Sequence, residues 1–240
     1  MRVIYLARYK EGIESYKRFM LSLGRNDVPL FIVYKGFPDI ETTYYDWHPH
    51  NRGIDVSSIM MSDKSGYDLD AYREAAKCIT EEYILCCNSH TEFLNTTWYD
   101  DFQRYIPNYS LLGATGSWES FQKKWWSRIL FPSWPNPHIR TNVFAMRTAE
   151  LLAIWPKQFY TKWHCRLFES GYNSLTRQIL RHGGQVGVLT KMGWAAHWTV
   201  WAYNGTFRNN SQSALLAHDN QTRAFKREPA NLSQLTWELQ

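Results

Sequence analysis

The sequence predicts an α/β fold: one domain built on a mostly parallel central sheet flanked by helices. Short, unbroken apolar runs recur along the chain and end in polar residues, as strands buried on both faces do. Segments with apolar residues at helical spacing separate them. That alternation gives strand–helix–strand units, the seed of a parallel sheet with right-handed crossovers. A chain of 240 residues with 44% hydrophobic content is long enough for one sizeable core.

Residues 3–7 form the first predicted strand. The next helix turns Tyr16, Phe19, Met20 and Leu23 to one face and stops at Gly24. Residues 30–34 are a second strand, closed by Lys35-Gly36-Phe37-Pro38. Residues 40–55 are polar and aromatic, and read as irregular or weakly helical. A third strand, 56–61, runs into a turn holding Asp63, Gly66, Asp68 and Asp70. The helix that follows points Leu69, Tyr72, Ala76 and Ile79 inward, with Asp68 as its expected cap.

The innermost strand is 83–87, Tyr-Ile-Leu-Cys-Cys, and Asn88-Ser89-His90 stands at its carboxyl end. In open α/β sheets ligands sit beyond that end. A helix over 97–105 (Trp98, Phe102 and Tyr105 inward) and a strand over 111–115 come next. The stretch 118–137 is irregular, aromatic and proline-rich. A long loop of this kind in a compact domain is usually a functional loop or lid, and a short helix around 122–129 fits inside it. Residues 138–146 read as a strand leading into a helix over 149–155 that Pro156 ends. A further helix opens at 168–175, with Tyr172, Leu175 and Ile179 on one face, and stops at Gly183-Gly184. The last predicted strand is 186–189.

The formal net charge of +5 suits an anionic ligand and contains no basic block that implies nucleic acid. Aromatic content of 16%, with 12 tryptophans, fits either stacking surfaces or an aromatic core. The four cysteines, Cys78, Cys86, Cys87 and Cys165, lack metal-finger spacing. They read as reduced thiols in a cytoplasmic protein, with adjacent Cys86 and Cys87 on opposite faces of one strand. Residues 1–8 enter a strand directly, too short a run for a signal-peptide core. No apolar run approaches the roughly 18 residues that span a bilayer.

Several segments are more specific. They are Ile32-Val33-Tyr34-Lys35-Gly36-Phe37, Gly66-Tyr67-Asp68-Leu69-Asp70-Ala71-Tyr72, Leu112-Gly113-Ala114-Thr115-Gly116-Ser117-Trp118-Glu119-Ser120, Asn136-Pro137-His138-Ile139-Arg140-Thr141-Asn142, Phe168-Glu169-Ser170-Gly171-Tyr172-Asn173-Ser174-Leu175-Thr176-Arg177-Gln178 and Asp219-Asn220-Gln221-Thr222. With the order of elements, they resemble GT-A-fold (Rossmann-like) glycosyltransferases, and a group of small bacterial and phage glycosyltransferase-like proteins in particular, over nearly the whole chain. The resemblance implies a nucleotide-diphosphate sugar, such as a UDP-sugar, bound by residues 1–115. It implies acceptor binding and catalysis in residues 116–240, in a bacterial or phage-infected host cytosol. The acceptor would be a surface glycan or a hydroxylated base of phage DNA.

GT-A enzymes usually carry Asp-x-Asp at the end of the central strand, where it holds Mn2+ or Mg2+ against the diphosphate; such hard ions prefer oxygen ligands. Here Asn88-Ser89-His90 takes that place, so the divalent cation is in question, with His90 as a candidate metal ligand and Asp219 as another supplied late in the chain. Arg8, Lys35, Asp63, Asp68, Asp70, Asn88, Ser89 and Arg177 are the expected donor-binding residues. Trp118, Glu119, His138, Arg140 and Asn142 are the expected acceptor-binding residues. Glu169, expected near the start of a late helix, is the candidate base for the acceptor hydroxyl, with Asp219 as its rival. The opposing view is a binding module that kept the fold and lost the chemistry. Nucleotidyl transfer is a third, and it normally needs carboxylates for two metals.

Overall fold

The computed structural model describes residues 1–39, 47, 53–63, 66–122, 125–201, 203–206 and 211–227. The expectation for residues 40–55 falls mostly outside these, as do Lys64 and Ser65 of the acidic turn.

The first strand, β1 (Arg2–Arg8), is apolar from Val3 to Ala7, and those five side chains are fully buried. Helix α1 (Ile13–Ser22) buries Tyr16, Phe19 and Met20. Gly24 follows it at φ +67°, a left-handed conformation that glycine adopts without a Cβ clash. β2 (Leu30–Lys35) and β3 (Val56–Met61) come next, then helix α2 (Asp68–Lys77) and β4 (Tyr83–Cys87). Short β5 (Glu92–Phe93), helix α3 (Trp98–Tyr105), β6 (Leu111–Gly113) and β7 (Gly116–Ser117) follow. The second half supplies β8 (His138–Ile139), β9 (Val143–Arg147) and the helices α4 (Thr148–Ile154), α5 (Lys162–Ser170) and α6 (Leu175–Arg181). It closes with β10 (Val186–Leu189), β11 (Ala195–His197), β12 (Ala217–His218) and helix α7 (Asn220–Arg227).

Eight strands form one sheet in the order β11-β10-β6-β9-β4-β1-β2-β3. β3, β2, β1 and β4 run parallel, with Val3 opposite Leu30 on one side and Leu85 on the other. The chain therefore winds outward in opposite directions on the two sides of β1, and such a reversal opens a crevice at the carboxyl ends of the strands. The expected mostly parallel sheet flanked by helices is the one observed, with two departures. β9 runs antiparallel to both β4 and β6. β11 adds an antiparallel edge after Gly193 turns the chain at φ +75°. Alternating strand residues feed two cores, one on each face. Tyr5, Leu85 and Cys87 belong to one, and Ile4, Ile84 and Cys86 to the other, so the adjacent cysteines do face opposite ways and all four cysteines are free thiols.

The expected continuous strand 138–146 is broken. β8 pairs only with β7, and Arg140–Thr141–Asn142 forms a corner before β9. A helix boundary also moves. Lys162–Ser170 is helical and ends at Gly171, which turns extended and where a Cβ would come within 2.6 Å of the Leu167 carbonyl. Glu169 consequently lies in the last turn of α5, not at the start of the following helix. Among the described residues no helix is long and apolar enough to cross a membrane.

Candidate active site

Two cavities meet over the carboxyl ends of the parallel strands. The first encloses about 630 Å³ and is lined from the ends of β1, β2 and β3 by Arg8, Lys35 and Asp63, from the start of α2 by Asp68, and from α5 by Lys162, Cys165, Arg166 and Glu169. With Lys10, five cationic side chains face three carboxylates there. The second encloses about 430 Å³, and Asn88, Glu119, His138, Arg140, Asn142 and Asp219 are on its wall. Thr141, Arg166 and Glu169 line both. Helical spacing accounts for the shared wall: Lys162, Arg166 and Glu169 are four and three residues apart and share one face of α5.

Glu169 is half-buried. Its Oε1 accepts hydrogen bonds from the Thr141 amide at 2.8 Å and the Thr141 hydroxyl at 3.0 Å. Among the described residues Oε2 makes no hydrogen bond, so half of the carboxylate is anchored and half is available at the junction.

In the first cavity, Arg8 approaches Asp68 at 3.4 Å and Asp63 at 3.8 Å. Lys35 is almost fully buried and its Nζ donates to the Gly66 carbonyl at 2.6 Å. Burial lowers the Lys35 pKa, with Asp68 pulling the other way. Burial pushes the Cys165 thiol up to about 12, so it is protonated at neutral pH and is no nucleophile.

Asp70 departs from the expected ligand role. Its Oδ2 accepts from the Tyr67 amide at 2.6 Å and its Oδ1 from the Phe159 amide at 2.9 Å. It caps α2, the task expected of Asp68, and ties that helix to the segment before α5. Gly66 is required beside it: at φ +80° a Cβ would sit 2.4 Å from Asp70 Oδ2.

In the second cavity, Asp219 is completely buried. Its Oδ2 accepts from Arg140 Nη2 at 2.8 Å and from Asn142 Nδ2 at 3.0 Å, and its Oδ1 accepts from the Thr222 amide at 2.7 Å. Burial opposes this charge, but Arg140 and the Thr222 bonds outweigh it and hold the carboxyl below the usual Asp range. Asp219 is thus placed as a clamp on Arg140 and Asn142 and as the cap of the last helix. His138 is buried, with Nδ1 at 2.8 Å from the Asn136 carbonyl. Burial lowers its pKa, against the pull of Glu169. It is neutral at pH 7, with the proton on Nδ1, the nitrogen facing the carbonyl.

Other expected residues lie elsewhere. His90 lines neither cavity; its Nε2 stands 3.1 Å from Glu11 Oε2. Ser89 is buried, with its carbonyl accepting from the Tyr5 hydroxyl. Arg177, on α6, donates to Asn136 Oδ1 and lines neither cavity. Trp118 packs edge-on against Trp134, with centroids 6.4 Å apart; from that loop it is Phe121 that reaches the second cavity, with Arg166 over its ring at 5.3 Å. Lys10, Thr141, Lys162 and Arg166 were absent from the expected set. The Lys-x-x-x-Arg-x-x-Glu spacing in 162–169 was the signal available for two of them, Lys162 and Arg166.

Asn88 and His90, at the end of β4 where the resemblance puts a metal, are both engaged within the protein. Asn88 Oδ1 is turned back onto the His90 amide at 3.0 Å and the Thr91 hydroxyl at 3.1 Å. Among the described residues no three His, Cys, Asp or Glu side chains gather as a metal site would need.

The chain is thus a GT-A-like α/β protein with a bipartite cleft, basic on one side and polar on the other. No protein-family model and no curated protein matches the sequence. Among solved structures, the 4-diphosphocytidyl-2C-methyl-D-erythritol synthase from Anaerococcus prevotii overlays with a TM-score of 0.51 at 13% identity, over 78% of this chain and 87% of that one. That likeness establishes the shared fold. TarS residues 1–349 from S. aureus, in complex with UDP-GlcNAc, gives a TM-score of 0.44 at 15% identity over 62% of this chain and 46% of that one. The glycosyltransferase GlyE of Streptococcus pneumoniae gives 0.44 at 12% over 63% and 35%. This chain spans less than half the length of either of those two.

Proposed function

We propose that this protein transfers a sugar from a nucleotide-diphosphate sugar to a hydroxyl acceptor. The observation that carries the proposal is the place of Glu169, half-anchored at the junction of a cation-rich cavity and a polar one. The nucleotide and its diphosphate occupy the first cavity. Arg8, Lys10, Lys35, Lys162 and Arg166 are the groups available there to balance phosphate charge. Asp63 and Asp68 are placed to accept from ribose hydroxyls. Charge on the leaving diphosphate is met by these side chains, and no step is assigned to a metal.

The acceptor enters from the second cavity. Glu169 Oε2 takes the proton of its hydroxyl, and the freed oxygen attacks C1 of the sugar as the bond from C1 to the diphosphate oxygen breaks. The products are the glycosylated acceptor and a nucleoside diphosphate. Cationic side chains fixed before the reaction stabilise the charge that builds on the leaving group.

The test is a screen of nucleotide sugars by thermal shift, followed by measurement of nucleoside diphosphate release with and without candidate acceptors. Stabilisation by one nucleotide sugar plus acceptor-dependent release is the expected result. Binding without any release supports the module that has lost its chemistry.

A further inference from the structure

Among the described residues, two buried polar atoms of side chains that line the second cavity have no hydrogen-bond partner: Arg140 Nη1 and Asn142 Oδ1. Their residues are 7% and 5% exposed. The rest of each side chain is tied down. Arg140 Nη2 donates to Asp219 Oδ2 and to Gln221 Oε1 at 2.7 Å, and Asn142 Nδ2 donates to the same Asp219 oxygen. One carboxylate oxygen thereby holds both side chains in place and leaves one donor and one acceptor unanswered. Buried polar groups in native proteins are normally paired, and an unpaired one at a cavity wall marks where a ligand atom belongs.

The pair selects the chemistry of that atom. A hydroxyl both donates and accepts, so it is a ligand group whose chemistry answers an unpaired donor and an unpaired acceptor alike. An ionised carboxylate or phosphate oxygen only accepts, and would face Asn142 Oδ1 with no proton between the two oxygens. The surrounding charge agrees. Glu119, Glu169 and Asp219 stand on this wall with only Arg140 and Arg166 against them, and Asp219 already engages Arg140. The first cavity has the opposite balance.

We propose that the second cavity is the subsite of a neutral, polyhydroxylated ligand, whose hydroxyls answer Arg140 Nη1 and Asn142 Oδ1. As the subsite of an acceptor this rests on the transfer reaction proposed above; as a binding site it does not. The acceptor class is then a neutral glycan and not a polyanion such as DNA.

Saturation-transfer NMR on the intact chain tests it without any nucleotide. The probes are methyl glucoside and methyl galactoside, the corresponding methyl glucuronide and galacturonide, inorganic phosphate and a short DNA duplex. The neutral glycosides bind, the uronates bind at least tenfold more weakly, and Asn142→Ala weakens the neutral glycosides at least tenfold while its circular dichroism melt still shows a folded protein. Should that variant fail to fold, Asn142→Ser and the wild-type preference for neutral over acidic sugars decide the matter. Equal or tighter binding of uronates, phosphate or duplex overturns the proposal, as does the absence of any glycoside signal or undiminished binding by a folded Asn142 variant. A nucleotide-sugar titration run separately distinguishes the two claims: its failure defeats the transferase and leaves the glycoside result standing.

Discussion

Thr141 grips Glu169 Oε1 twice, through its backbone amide at 2.8 Å and its hydroxyl at 3.0 Å. The amide comes from the corner between β8 and β9, and Glu169 from the last turn of α5. The two elements are joined at the point where the cavities meet, and the free oxygen is oriented by its bound twin.

Thr141→Val keeps the amide bond and removes the hydroxyl bond. A hydrogen bond to a charged group contributes about 1.5–3 kcal/mol, and loss of part of that orientation is expected to slow turnover about tenfold. The Michaelis constant for the donor stays within about threefold, since Thr141 orients the base and does not hold phosphate charge. Steady-state kinetics of nucleoside diphosphate release separate the two parameters.

Asp219 supports the other wall. Asp219→Ala strands the Arg140 charge in a buried site and removes the cap on α7. Breaking a buried ion pair costs about 3–5 kcal/mol, so urea unfolding is expected to show a loss of that order. The acid limb gives an independent check. The folded-state pKa of Asp219 is depressed, so its stabilisation is complete above the unfolded value, about 3.9, and is lost as pH falls through the lower folded value. Asp219→Asn flattens that limb of the stability curve.

His138 titrates in a different window. Burial lowers its pKa, so below the unfolded value of about 6.5 the unfolded chain binds a proton that the folded chain refuses. Stability from this group is full above that pH and declines as pH falls toward the depressed folded value. His138→Gln removes the dependence. Melting temperatures from pH 7.5 down to 5 measure it, and equal slopes for the two proteins would contradict the assignment.

Phosphate recognition by cationic side chains also sets a solution signature. Nucleotide-sugar affinity is expected to be unchanged by EDTA and to weaken as salt rises, because exposed charges are screened within about 10 Å at 0.1 M salt. Arg166→Ala and Lys162→Ala each weaken binding, by roughly tenfold if the charge meets phosphate directly. Isothermal titration with and without EDTA and Mn2+ provides the measurement.

The middle of the sheet was legible because three of its strands, in residues 3–7, 30–34 and 83–87, are short apolar runs with nothing polar inside them. The position of the cleft followed from the ends of the strands: Arg8, Lys35, Asp63 and Asn88 do line it. What the sequence hid is set by tertiary contact. His90 meets Glu11 because of how the turn after β1 packs. Asp70 rather than Asp68 caps α2 from three residues past Tyr67, and its other oxygen takes the Phe159 amide from 89 residues away. The boundary of α5 was missed because 162–170 mixes charged and aromatic residues with only Phe168 and Ser170 buried, so its periodicity is faint. The Asp219 clamp joins residues nearly 80 positions apart, and no local pattern announces it.

Glu169 remains the residue on which the catalytic account turns. Glu169→Gln keeps the size of the side chain and the acceptor oxygen that Thr141 holds, and removes only the capacity to take a proton. Turnover of the responding nucleotide sugar with its acceptor is expected to fall at least a hundredfold, in line with the roughly 10²–10⁴ contributed by general bases, while the dissociation constant for the nucleotide sugar stays within about threefold. Undiminished turnover in a Glu169→Gln protein that still binds the donor would contradict the account.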